Sequence, residues 1–207
     1  MTTAASAMAT SFLIDLPLVP ARLTRGYASR FAHNARMLVL ETDRLVLRRF
    51  TLDDAQFIFQ LVNDPSWLRF IGDKNVRNLD DARRYLREGP LDMYQRHGFG
   101  MYRVEEKASG APAGMCGLIK RDTLPDVDVG YAFLPEFRGK GYAFEAASAV
   151  LAHGHRAFGL QRILAITSPG NDSSIRVLEK AGMKFERLME FTPGDPVNVF
   201  SWVPAEK

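Results

Sequence analysis

Apolar and polar positions alternate and recur along this chain in a way that predicts most of its elements. Arg44-Leu45-Val46-Leu47-Arg48-Arg49-Phe50 is an apolar run edged by charge and predicts a first strand. Thr51 and Asp53 supply a helix cap. Ala55, Phe57, Ile58, Leu61 and Val62 then recur at helical spacing until Asp64-Pro65 stops the run, and a second helix is predicted over Asp80 to Gln95. Sheet pattern resumes after Gly98 with Gly100 to Val104, Ala113 to Ile119 and Val127 to Leu134. The turn formers Ser109-Gly110 and Pro125-Asp126 between these runs point to an antiparallel meander. A helix follows Gly141 as far as Phe158, with Gly159 as its left-handed stop. Arg162 to Thr167 predicts a strand, and Ser173 to Ala181 a short helix ended by Gly182. Lys184 to Phe191 and Val197 to Val203 complete the pattern as two strands.

The order β-α-α-β-β-β-α-β-α-β-β describes an α/β chain of the α+β kind, a mixed and mostly antiparallel sheet with helices packed on its faces. No internal repeat interrupts it. The absence of GxxxxGK[ST] and GxSxG removes support for a P-loop nucleotidase and an α/β-hydrolase. The first 36 residues lack either periodicity and are rich in Ala, Ser, Thr and Arg, so the chain divides into an arm, 1–36, and a domain, 37–207. Three readings of the arm stand: a structured but variable arm, a start placed before a true start at Met37, or an organelle-targeting peptide. A secretory signal is disfavoured, because Asp15 and Pro17 interrupt the apolar stretch Phe12 to Val19 and no basic residue precedes it.

Composition narrows the function. At 207 residues and 46% hydrophobic the chain suits one globular domain, and no apolar run approaches the ~18 residues of a membrane span. Of 27 basic and 24 acidic residues, Arg22, Arg25, Arg30, Arg36 and Asp15 lie in the arm. The net charge of +3 therefore belongs to the arm. The balanced remainder gives no field for nucleic acid, and only the arm leaves room for salt-sensitive nucleic-acid binding. Cys116 is the only cysteine, so no intrachain disulfide forms, and a reducing, cytoplasmic setting is expected. With His33, His97, His153 and His155 as the only histidines, no metal site is expected. His153 and His155 fall on different faces of one helix.

The chemistry concentrates in Leu134-Pro135-Glu136-Phe137-Arg138-Gly139-Lys140-Gly141-Tyr142-Ala143, between a predicted strand and a predicted helix. Gly139 and Gly141 permit a turn whose successive N–H groups face one point, and the helix adds the positive end of its dipole. Gly141 and Ala143 keep side chains clear of an approaching diphosphate, while Arg138 and Lys140 add charge at the rim. An ordinary strand-to-helix turn with solvated basic residues is the competing account.

Arg138-x-x-Gly141-x-Ala143 resembles the Q/R-x-x-G-x-G/A acyl-CoA pyrophosphate signature of the GCN5-related N-acetyltransferases (GNAT). Three further segments resemble the ribosomal-protein N-acetyltransferase (RimJ/RimL-like) branch: Leu40-Glu41-Thr42-Asp43-Arg44-Leu45-Val46-Leu47-Arg48 its opening strand, Val129-Gly130-Tyr131 its central strand, and Asn171 to Met183 its Asn-x-x-Ser helix with a Glu-Lys-x-Gly end. The resemblance covers Leu40 to Trp202. It implies a sheet splayed between its fourth and fifth strands, with acetyl-CoA in the V and an acceptor amine entering from the opposite side. By that analogy Phe133 and its neighbours hold pantetheine, Tyr142 opens the pyrophosphate-binding helix, and Asn171 meets a pantetheine amide or caps its helix.

Transfer from a thioester to an amine needs a neutral amine, a stabilised oxyanion and a proton for the departing thiolate. Asp128 matches a position often acidic in the family and is the candidate base, or else a solvated strand residue; Asp126 and Glu136 are fallbacks. Ser174 lies, by the resemblance, near the thioester sulfur as a hydrogen-bond donor, or else is a first-turn helix hydroxyl. A backbone N–H around Val129 to Tyr131 serves the oxyanion. Cys116 is expected to be a buried thiol, and Trp67, Phe70, Tyr85, Met93 and Tyr94, which border the acceptor side in the family, are expected to pack in the core. The acceptor is a peptide N-terminus or a small amine, and a homodimer follows by analogy only. The rival is a CoA-binding sensor or scaffold without turnover.

Overall fold

The computed structural model describes residues 37–205. The predicted arm, 1–36, lies outside them. One sheet holds β1 (Leu38–Glu41), β2 (Leu45–Arg49), β3 (Met101–Glu106), β4 (Pro112–Ile119), β5 (Asp128–Phe133), β6 (Ile163–Thr167), β7 (Lys184–Thr192) and β8 (Asp195–Trp202). Their spatial order is β1-β2-β3-β4-β5-β6-β8-β7, and every neighbouring pair is antiparallel except β5 with β6. The helices are α1 (Ala55–Val62), α2 (Pro65–Phe70), α3 (Leu79–Leu86), α4 (Asp92–His97), α5 (Tyr142–Phe158) and α6 (Asp172–Lys180).

The predicted elements are present, with three local departures, one in the sheet and two in the helices. An additional edge strand, β1, precedes the expected first strand. Its four residues are only partly covered, so no alternation marked them. Asp64-Pro65 ends α1 and also starts α2: the Asp64 carboxylate accepts the Ser66 N–H at 2.9 Å, and Pro65 occupies the first helical position, where a missing N–H costs nothing. The single helix expected over Asp80 to Gln95 is broken by a wide π-type turn, Arg87–Leu91, because Pro90 lacks the N–H that would continue the ladder.

The register assigns helices to both faces of the sheet. Arg103 of β3 lies over the Phe57 ring of α1, 5.5 Å from its centroid. Arg103 pairs with Met115, and Leu118, three residues further along β4, faces the opposite way. There it packs against α5 at Gly154, where a Cβ would sit 3.1 Å from Leu118 and 3.0 Å from Ile163. A glycine at this point lets α5 lie close over β4 and β6. On the α1 side the buried Asp54 receives Arg48 at 2.7 Å and also Arg103, which ties the helix to the sheet.

Candidate active site

The site begins where the sheet comes apart. β5 and β6 pair at one position, Asp128 with Leu164, where the Leu164 N–H donates to the Val127 carbonyl at 2.9 Å. Beyond it the two strands diverge. β5 remains fully paired to β4 on its other edge, from Ile119 opposite Asp128 to Gly114 opposite Phe133. Because Val127 turns its carbonyl toward β6, alternation turns the Val129 carbonyl and the Tyr131 N–H and carbonyl into the gap. The result is a wedge with one bare peptide edge, able to accept an extended amide-containing chain as an added strand.

The wedge leads into the glycine loop. Gly139 and Gly141 have φ of 73° and 80°, a region that other residues reach only at a cost. Gly141 precedes the 17-residue α5, whose first internal bond to the loop is Glu145 N–H to the Gly141 carbonyl at 3.1 Å. Among the described residues, the N–H groups of Gly139, Lys140, Gly141, Tyr142, Ala143 and Phe144 have no protein acceptor. Six donors and a helix N-terminus therefore lie together in one short segment, which suits a diphosphate.

The loop's side chains are mostly engaged by neighbouring protein groups. Arg138, expected at the rim as a cation for the phosphates, sends Nε to the Phe133 carbonyl (2.8 Å) and Nη1 to the Ser66 hydroxyl (3.1 Å), and pairs Nη2 with the buried Asp64. Its charge is spent bracing the loop on the start of α2. Lys140 stays half exposed, 5.0 Å over the Phe137 ring. The Tyr142 hydroxyl donates to Glu106 at 2.6 Å, and the Phe133 ring is buried in the core, so both residues offer backbone rather than side chain. Ala143 packs partly buried against the core. Arg44 is a brace the sequence did not single out: Nε reaches Glu145 at 2.7 Å, Nη1 the Lys140 carbonyl at 2.9 Å, and the guanidinium lies 4.7 Å over the Tyr142 ring. Thr42 bonds the same Glu145 carboxylate. The family-like opening segment thus straps the anion loop.

The Arg138 brace has a measurable consequence. Arg138→Ala leaves the buried Asp64 carboxylate bound to the Ser66 N–H but without its cation, a loss of about 1.5–3 kcal/mol, the worth of a hydrogen bond to a charged group. A lower melting temperature is expected, and by calorimetry a several-fold weaker affinity for the diphosphate-bearing donor that the resemblance implies, because the loop loses its anchor.

Across the wedge, Asn171 caps α6 through Oδ1, which accepts the Ser174 N–H at 3.1 Å and the Ser173 hydroxyl at 3.0 Å. Ser174 is partly buried, and its Oγ lies 2.9 Å from the Tyr131 hydroxyl. Asp128 is 1% exposed, contrary to a solvated strand position, and its Oδ1 takes Arg121 Nε at 2.8 Å. Burial pushes its carboxyl above the ordinary aspartate value, outweighing the opposing pull of Arg121. By register Asp128 faces the α1 side of the sheet and Tyr131 the α5 side. Asp128 and Ser174 therefore address opposite sides of the wedge.

The fallback bases fare less well: Asp126 is bound to Arg162 at 2.6 Å, and Glu136 is exposed beyond the strand end. Cys116 is fully buried, and desolvation pushes its thiol far up. A hollow of about 250 Å³ beside α3 is lined by Lys74, Val76, Asp81, Arg84, Tyr85, Glu88 and Gly89. Burial raises the Tyr85 phenol to about 12, with the charge of Arg121 opposing. Among the described residues, no three His, Cys, Asp or Glu side chains cluster as metal ligands, and no helix is long and apolar enough to cross a membrane.

Residues 44–184 match the family model described as an acetyltransferase (GNAT) domain. The chain belongs to the GNAT acetyltransferase family. An uncharacterized N-acetyltransferase, YoaA of Bacillus subtilis (strain 168), is 30% identical over 172 residues, covering 80% of this chain and 96% of that protein. The crystal structure of a GNAT-family acetyltransferase from Bacillus anthracis is 26% identical with a TM-score of 0.67, covering 81% of this chain and 98% of that one. RimL, a ribosomal L7/L12 alpha-N-protein acetyltransferase, shares the fold at 19% identity and a TM-score of 0.69, over 81% and 94% of the two chains. This GNAT chain is an N-acetyltransferase, in a family that takes its acetyl group from acetyl-CoA.

Proposed function

We propose that this GNAT enzyme transfers acetyl from acetyl-CoA to a primary amine, a peptide N-terminus or a small molecule, by direct attack in a ternary complex. The observation that carries the proposal is the β5–β6 wedge opening onto six amides at Gly139–Phe144 that have no protein acceptor among the described residues. The diphosphate rests on these amides and the pantetheine amides add to the bare edge of β5. Asn171, whose Oδ1 is engaged in capping, keeps its amide nitrogen for the same chain. The thioester then lies near Tyr131, whose N–H is directed into the gap to meet the developing oxyanion.

The opposed placement of the two candidate side chains supports the order of proton movements. Asp128, on the α1 side, takes the ammonium proton of the acceptor directly or through water. The neutral amine attacks the carbonyl carbon, the C–S bond breaks, and Ser174 on α6 donates a hydrogen bond to the departing thiolate. The hollow beside Tyr85 lies on the Asp128 side, since α3 packs on α1, and suits the acceptor. Residues 37–207 carry all of this chemistry in a cytoplasmic, RimJ/RimL-like enzyme.

The test is incubation of the full chain with acetyl-CoA and a panel of peptides and small amines, read by mass spectrometry for a gain of one acetyl group. Transfer to one class names the acceptor, and no transfer from a bound donor contradicts turnover. With that acceptor, Ser174→Ala is expected to lower kcat by roughly 10- to 100-fold, the worth of a hydrogen bond to a charged group, at nearly constant KM for acetyl-CoA. Full activity removes Ser174 from the scheme.

A further inference from the structure

We infer that Tyr131 is a positioning residue that sets Ser174 as hydrogen-bond donor to the leaving thiolate, an inference that rests on the role proposed above for Ser174. Tyr131 stands on β5, Ser174 on α6, and 43 residues separate them, yet the phenol lies 2.9 Å from Ser174 Oγ and 3.1 Å from the Ser174 carbonyl. It reaches across the wedge at the stretch where β5 has parted from β6. Burial pushes this phenol up, so it stays protonated through the neutral range and serves as a donor rather than as an acid.

Two hydroxyls and one carbonyl in this arrangement have two ways of sharing their protons. In one, the phenol donates to the Ser174 carbonyl, and Ser174 Oγ donates to the phenol oxygen, which consumes the serine's only proton. In the other, the phenol donates to Ser174 Oγ and frees the serine proton for an anion beside α6. The two states differ by rotation of two O–H bonds, with no movement of heavy atoms. Negative charge on sulfur selects the second state, and the phenol's bond to Oγ then strengthens serine as a donor. No bond between heavy atoms is made or broken by Tyr131, and no proton leaves it. A serine alone would have to hold its rotamer and direct its proton without help.

The test needs no acceptor, because the product CoA carries the same sulfur. Binding of CoA and of desulfo-CoA, which lacks the thiol, is measured by calorimetry from pH 7 to pH 9.5 in the full chain, in Tyr131→Phe, in Ser174→Ala and in the double variant. In the parent, the preference for CoA over desulfo-CoA is expected to grow about tenfold as the thiol ionises, one pKa unit of thiolate stabilisation. Tyr131→Phe should lose most of that growth, and the double variant should lose no more than Ser174→Ala. Affinity for desulfo-CoA should stay unchanged in all four proteins; damage to the fold would lower both ligands alike and leave their ratio intact. A parent-like ratio in Tyr131→Phe together with a lost ratio in Ser174→Ala overturns the inference alone. A parent-like ratio in Ser174→Ala overturns the role of Ser174 itself.

Discussion

Gly141→Glu is expected to abolish acetyl-CoA binding while leaving a folded protein. The parent, at acetyl-CoA ~100 times its dissociation constant, should gain ~2.7 kcal/mol of stability, roughly 5–10 °C for a domain of this size. The variant should show no shift. Gly141 holds φ of 80°, so any side chain there costs about 1–2 kcal/mol of left-handed strain. That lowers the melting temperature without unfolding the chain. Space is available for a first carbon, because a Cβ would meet nothing nearer than Arg44 Nη2 at 3.5 Å, an ordinary contact. Gly141→Ala therefore isolates the strain and should still bind, whereas the glutamate adds a carboxylate where the diphosphate must sit. Loss in both variants would locate the effect in loop geometry, and retention in both would move the diphosphate elsewhere.

The second large effect concerns Asp128→Asn. General-base assistance is commonly worth ~10²–10⁴-fold, and a loss of that order in kcat at neutral pH is expected with little change in melting temperature. Burial raises the Asp128 carboxyl in the folded state, so folding binds its proton more tightly than the unfolded chain does. The favourable contribution is complete below the unfolded value near 4 and is lost as pH rises through the folded value. The ionised form of this carboxyl is thus no net asset to the fold, and the neutral amide should be tolerated. Arg121, whose side chain is one-third exposed, can return to water. Activity has the reverse dependence: the base works only when ionised, so the parent's rate falls with acid at a higher pH than an ordinary aspartate would dictate. That limb should vanish in the variant, leaving only ionisation of the amine. A destabilised variant with unaltered kcat would make the Asp128–Arg121 pair architectural.

Local chemistry made much of this legible from residues alone. The strand–glycine loop–helix unit at Val127–Phe158 was readable because left-handed glycines and a helix start are properties of neighbouring residues. The β5–β6 opening followed from family resemblance, and the pairing confined to Asp128 and Leu164 bears it out. What escaped was long-range. Arg138 carries the signature's positive charge, but its partner Asp64 is 74 residues away, so nothing local foretold that the guanidinium turns inward. Tyr131 and Ser174 lie on separate family-like motifs whose meeting only the folded sheet reveals. Asp128 is paired with Arg121 from the β4–β5 loop, a contact that alternation along β5 does not encode. Pro90 is the opposite case: a proline inside a helical run was a visible signal for the break between α3 and α4.

Amide hydrogen exchange with and without acetyl-CoA reports where the donor binds. Slowed exchange is expected in two segments only, the Val129–Phe133 stretch of β5 and the Gly139–Phe144 loop, whose free amides the donor would cover. Protection absent from both, or concentrated instead around the hollow at Lys74–Gly89, would contradict a donor bound in the β5–β6 wedge.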